Sequence, residues 1–128
     1  KKYLIKFFTK QIRDFYQIYG ESMAFYIAFD KITSTPFAGL CTTFDLESDQ
    51  TIHVSAFHTL DGLSTPAGVG LIDRWFTDSI NSKISFINFG VLWSKNFTKS
   101  WQGYSNFKKH FRPTTVSYTQ TYFRFTWK

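Results

Sequence analysis

A chain of 128 residues, 43% hydrophobic and 19% charged, has the composition of one globular domain rather than a disordered segment or an array of domains. Aromatic residues reach 21%, with 16 Phe, yet no apolar run is long enough to predict a membrane span and no cleavable leader pattern opens the chain. The net charge of +6 fits nucleic acid, an anionic membrane or a phosphorylated small molecule, and equally plain solubility, while the single cysteine, Cys41, excludes an internal disulfide and fits a reducing cytoplasm.

Residues 3–19 predict an amphipathic helix. Leu4, Phe8, Ile12, Phe15 and Tyr19 recur at three- and four-residue steps, and Lys6, Lys10, Arg13 and Gln17 take the other face. Gly20 is the expected stop. Three strands follow. In residues 23–32, Phe25, Ile27 and Phe29 alternate with Ala24, Tyr26 and Ala28, so both faces are apolar, as in a covered strand. Residues 37–46 form the second strand, and Glu47-Ser48-Asp49 a turn. In residues 50–58, strict alternation places Ile52, Val54 and Ala56 on one face and His53, Ser55 and Phe57 on the other. The short connections predict an antiparallel meander.

A glycine-containing loop at 61–70 leads into a helix over 67–82, with Ile72, Trp75, Phe76, Ser79 and Ile80 on its inner stripe. Residues 84–90 form a short apolar strand. Strand, helix and strand make a βαβ unit, so the strands near 50–58 and 84–90 should run parallel with a right-handed crossover. Residues 91–99 are irregular. Residues 100–111 predict a helix with Trp101, Tyr104, Phe107 and Phe111 on one stripe, stopped by Pro113. Lys108, Lys109, His110 and Arg112 read as its solvated basic end. The stretch 114–127 is β-rich. The predicted fold class is α+β, a mixed and mainly antiparallel sheet of five to seven strands flanked by helices, with one parallel pair.

This order resembles the GNAT acyltransferase superfamily from its second helix onward. Two local motifs carry the resemblance. In GNAT enzymes the loop before the central helix reads Gln/Arg-x-x-Gly-x-Gly/Ala, and here Thr65-Pro66-Ala67-Gly68-Val69-Gly70 stands in that place. Thr replaces Gln/Arg, and Pro66 lacks one donor N–H. Glycines in such a loop let main-chain amides approach a pyrophosphate at a helix N-terminus, where the dipole favours anions. Glycines that simply start a helix read the same way. The second motif is Asn88-Phe89-Gly90 followed by Phe107-Lys108-Lys109-His110-Phe111. It is similar to the Asp-Phe-Gly and Phe-Lys-x-x-Phe-Gly succession of the Fem-type aminoacyltransferase branch, with Asn88 for Asp and Arg112 for Gly.

The resemblance implies an acyl- or aminoacyl-transferase that moves an acyl group from a thioester or an aminoacyl-tRNA to an amine. Acyl-CoA would be held at Thr65, Ala67, Gly68, Val69 and Gly70. Tyr104 is the candidate acid for the leaving thiolate, although its place on the Trp101–Phe111 stripe also fits a core residue. Asp45 and Glu47 end a strand and are candidate bases or simply exposed carboxylates. His53 and His58, five apart on a regular strand, should point to opposite faces and share no metal. Cys41, mid-strand and without a Cys–His motif, reads as a small buried hydrophobe. A catalytically degenerate GNAT-like module that binds or assembles is the alternative. Nucleic-acid binding other than to a tRNA-borne donor is a weaker third, because no RNP-like motif accompanies the basic and aromatic strands. The chain opens on Lys1-Lys2 without Met, and the expectation is a single domain over 1–128 that is trimmed or C-terminal in a longer protein. The family's usual first strand has no counterpart, so the strand at 23–32 should offer an edge to be covered by the C-terminal strand at 114–127, a second copy or an upstream domain.

Overall fold

The computed structural model describes residues 2–95, 98–99 and 102–117, with the backbone only at 2–9 and 11. It divides into two compact units, Lys1–Gly90 and Val91–Lys128, each taken by itself below. In the first unit, α1 (Lys2–Tyr19) leads through a 3₁₀ turn at Gly20–Ser22 into β1 (Met23–Phe29), β2 (Pro36–Asp45) and β3 (Gln50–His58). A second 3₁₀ turn (Asp61–Ser64), α2 (Ala67–Asn81) and β4 (Phe86–Asn88) complete it. The sheet order is β1-β2-β3-β4, antiparallel except for the parallel β3–β4 pair. The fold class is therefore α+β with a mixed sheet, and the meander and the parallel crossover pair stand where periodicity puts them. Four strands are present among the described residues, and the β-rich reading of 118–127 lies outside them.

Side-chain chemistry explains where the elements stop. The first strand ends at Phe29, three residues before the predicted end, because the Asp30 carboxylate accepts the amides of Ile32 (2.8 Å) and Thr33 (2.7 Å) and closes an Asx-type turn. Asp45 closes the next turn in the same manner, accepting from the Glu47 amide, the Ser48 hydroxyl and Gln50 Nε2. These bonds, Ser48 first, hold its carboxyl below the usual range. Asp45 thus serves the turn. Asp49 lies in the left-handed region (φ 47°), and its carboxylate accepts from the amide and hydroxyl of Ser85. That tie, with Phe86 N–H donating to Asp49 O (3.2 Å), starts the parallel ladder.

The two sheet faces are occupied differently. Cross-strand pairing places Ala24, Tyr26, Ala28, Leu40 and Thr42 on the α2 side. Phe25, Ile27, Gly39 and Cys41 take the side where Ile12 and Tyr16 of α1 lie, and Tyr16 meets Phe25 at 6.4 Å between ring centroids. On the α2 side the core is Ala38, Leu40, Leu71, Ile72 and Trp75, all buried. Leu71 takes the place predicted for Ile80, which is 70% exposed. Trp75 is 1% exposed, and its indole Nε1 donates to Thr51 Oγ1 at 2.9 Å. Its ring meets those of Phe76 (5.4 Å) and Phe89 (5.9 Å), so the Phe of Asn88-Phe89-Gly90 serves to pack the βαβ unit.

On the α1 side Phe25, Ile27, Phe29 and Phe57 each remain about half exposed, and β1 has a strand partner on one side among the described residues. Cys41 is buried on that face, and loss of solvent pushes its thiol up to about 11, which suits an inert small hydrophobe. No helix among the described residues is long and apolar enough to cross a membrane.

Thr51→Val leaves the buried indole N–H of Trp75 without an acceptor and should cost about 1–3 kcal/mol. Thr43 Oγ1 is buried without a partner among the described residues. Thr43→Val should therefore be neutral or stabilise by up to about 1 kcal/mol. Urea midpoints at unchanged m-value measure both.

Candidate functional site

The sheet opens along β3. Its parallel ladder with β4 spans Gln50–Ile52 against Phe86–Asn88. Beyond Ile52, β3 runs on to His58 with β2 as its strand partner among the described residues. Over its second half β3 therefore has no second strand partner among the described residues, leaving main-chain donors and acceptors on that edge.

A bulge sits at the same place. Cys41 pairs with Ser55 and Thr42 with His53, so Val54 has no opposite residue. One inserted residue inverts the side-chain alternation beyond it. Thr51 and His53 lie on the α2 side, Ser55 and Phe57 on the α1 side, and His58 returns to the α2 side. Two sequence expectations are corrected by this bulge. His53 does not share a face with Ser55 and Phe57, and His53 and His58 share a face rather than opposing one another. Their neighbours still differ. His53 meets the rings of Trp75 (6.4 Å) and Phe89 (6.2 Å), whereas His58 lies against Gly68. Among the described residues no cluster of three or more His, Cys, Asp or Glu is placed to hold a metal.

The loop that follows is anchored on the start of β2. Thr59 donates its amide (2.9 Å) and its hydroxyl (3.2 Å) to Phe37 O, and Thr59 Oγ1 accepts the Gly62 amide at 3.1 Å. Gly62 is required here, because a Cβ would stand 2.0 Å from Phe37 O. Thr65 turns its hydroxyl inward, donating to Gly62 O (2.8 Å) and accepting the Ala67 amide (3.3 Å). Pro66 caps α2 without a side-chain bond, and Gly70 N–H closes the first turn on Pro66 O at 3.0 Å.

The predicted loop residues are thereby brought together at one helix end with distinct roles. Thr65 shapes the loop, and its side chain does not take the part of a long Gln or Arg. The amides of Gly68 and Val69 have no acceptor among the described residues and carry the positive end of the α2 dipole. Gly68 lets the exposed His58 imidazole lie close against it, since a Cβ would come within 2.5 Å of the ring and push it aside. Gly70 has nothing within 4 Å of where a Cβ would be. No local pattern in the sequence links His58 to this loop, because its place beside Gly68 depends on the bulge.

In the second unit, α3 (Gln102–Lys109) carries Tyr104 on the predicted stripe. Its ring stacks on Phe107 at 6.4 Å, and Phe107 meets Phe111 edge-on at 5.3 Å. Burial pushes the Tyr104 phenol up to about 12, so it stays protonated at neutral pH. Lys108 is not part of a solvated basic end. It is 3% exposed, donates to Val91 O at 3.0 Å, and stands 4.5 Å over the Tyr104 ring. The helical spacing that places Tyr104 inward places Lys108, four residues on, inward as well.

No protein-family model and no curated protein matches this sequence. Two solved structures share its fold. One is an aminoglycoside acetyltransferase from an uncultured soil metagenomic sample, solved with trehalose. It has a TM-score of 0.59 at 13% identity, over 84% of this chain and 67% of that one. The other is an aminoglycoside N-acetyltransferase solved in complex with CoA, with a TM-score of 0.58 at 13% identity, over 92% of this chain and 87% of that one.

The loop glycines separate by space. Gly62→Ala should destabilise by about 1–3 kcal/mol through forced displacement of the loop from Phe37. Gly70→Ala should instead stabilise by about 0.5–1 kcal/mol, because alanine favours the helix and meets open space. Thermal melts of the two variants beside the parent chain measure the contrast.

Proposed function

We propose that this protein is an N-acyltransferase of the GNAT-like fold that takes its acyl group from a CoA thioester and passes it to an amine. The observation that supports this most is the coincidence of three features in the first unit. The β3 edge without a second strand partner, the β3 bulge and an α2 N-terminus whose Gly68 and Val69 amides lack acceptors, all among the described residues, lie toward the His58 end of β3. A donor of this kind needs them together: an anion site for its pyrophosphate and a strand edge for its extended, amide-bearing arm. The fit is supported by Gly70, which leaves open space beside the first turn.

In this reading the amides of Gly68 and Val69 bind the pyrophosphate, and Ala67 and Gly70 keep the main chain close to it. His58 backs Gly68 and keeps the turn in place. The thioester supplies an activated acyl carbon, which the acceptor amine attacks. Tyr104 is the proposed proton donor to the departing thiolate, supported by the resemblance, which places such a Tyr on the helix after the last strand of the unit. Coenzyme A is preferred to an aminoacyl-tRNA as carrier, since both structural neighbours are acetyltransferases and one was solved with CoA. The Fem-type branch gains no such support.

A binding module with the same groove but no turnover is the second reading. It is favoured by the inward Thr65 hydroxyl and by Asp45, a candidate base whose carboxylate is occupied in its turn.

Calorimetry with CoA and acetyl-CoA should give saturable binding for the parent chain. Gly70→Glu adds an anion in open space in the first turn of α2, so it should hold or raise the melting temperature and abolish the binding heat. No heat from the parent chain at millimolar CoA would reject the donor site. In turnover assays with acetyl-CoA and a polyamine acceptor, Tyr104→Phe should lower kcat by about 10²-fold with little change in KM for the donor. Donor binding with no turnover would favour the binding-module reading.

A further inference from the structure

Two buried polar side chains, Ser105 and Lys108, sit three residues apart and so on one face of α3. They hold the main chain that enters the second unit. Ser105 Oγ accepts the Trp93 amide at 2.6 Å, and Lys108 Nζ donates to Val91 O at 3.0 Å. Lys109 and His110, the next residues along, are exposed. A lysine is rarely buried unless its ammonium has fixed compensation. Here the compensation comes from a carbonyl and from the π-face of Tyr104, whose ring centroid is 4.5 Å from the ammonium. Desolvation correspondingly holds the Lys108 amine below its ordinary value.

This arrangement limits the Tyr104 ring. The ammonium cannot follow a rotating ring without giving up Val91 O, and the ring cannot turn away without removing a π-face from a buried cation. Phe107 stacks on the same ring at 15° between planes, which fixes its tilt further.

We infer that Lys108 is a positioning residue for Tyr104, its ammonium anchored on the Val91 carbonyl and fixing the plane, and so the hydroxyl direction, of the phenol. This deepens the proposed reaction and rests on Tyr104 being its proton donor. Ser105 secures the same segment without touching the ring by any bond described above, so it serves as the control for a merely structural role.

The test is NMR of the whole chain carrying ¹³C-labelled tyrosine, with Tyr104 assigned through Tyr104→Phe. Lys108→Met should displace and broaden the Tyr104 ring signals, and Lys108→Arg, which keeps a cation on a long stem, should restore most of the shift. Ser105→Ala should lower the melting temperature and leave the Tyr104 signals near their parent positions. The inference is overturned if Lys108→Met leaves those signals in place, or if Ser105→Ala moves them as far. Should the Met variant fail to fold, the parent chain decides. The Lys108 Hε protons should be ring-current shifted upfield with cross-relaxation to the Tyr104 ring, and their absence refutes the contact. In turnover with acetyl-CoA, Lys108→Met should lower kcat on the order of tenfold at unchanged donor KM, with rescue by Lys108→Arg. If the parent chain shows no turnover, the transferase reading fails while the spectra still decide the role of Lys108.

Discussion

The first unit depends on a single buried polar contact, the bond from Trp75 Nε1 to Thr51 Oγ1. An indole carries a large apolar surface and one donor that must be satisfied when buried. Thr51 supplies the acceptor from the middle of the sheet and passes its own proton toward Thr43 O at 3.3 Å. One polar chain therefore links α2, β3 and β2. With the indole fixed, the rotation of α2 about its axis is fixed too, so Leu71, Ile72 and Ser79 turn inward and Ile80 outward. The same constraint sets where the first turn of α2 arrives beside β3.

That arrival point acquires chemical meaning from the sheet. A regular β3 paired along its whole length on both sides would present no free main chain and would aim His58 to the α1 side. The bulge opposite Cys41 and Thr42 and the short ladder to β4 change both outcomes. They expose a strand edge and bring the His58 imidazole under Gly68. Backbone geometry thus does most of the work of the proposed donor site, which explains why so few charged side chains are needed there. Thr65 contributes from within the loop, its hydroxyl donating to Gly62 O and accepting the Ala67 amide.

Two residues near the ends of β4 and α3 have local physical accounts of the same kind. Asn88 donates Nδ2 to Gln50 Oε1 at 3.3 Å and accepts the Gly90 amide at 3.0 Å. A carboxylate could make only the second bond, so the amide couples β4 to β3 in a way an acid could not. Arg112 adopts the left-handed conformation (φ 50°), which glycine would take without strain, in the turn that follows α3.

Periodicity and turn chemistry were enough to read α1, the three-strand meander, the βαβ unit and α3 from the chain, because those signals reside in neighbouring residues. The glycine loop and the tyrosine of α3 were legible for the same reason. The bulge was not, since Gln50–His58 alternates without a break, and the extra residue exists only relative to the register of β2. His58 beside Gly68 follows from that register and was equally hidden. Charge makes Lys108 read as solvated although its four-residue step from Tyr104 points inward; what reverses the balance is a carbonyl seventeen residues earlier in the chain. Local pattern decided which segments became helices and strands. Pairing between distant segments decided which edges stayed open, which side chains met, and therefore where chemistry could occur.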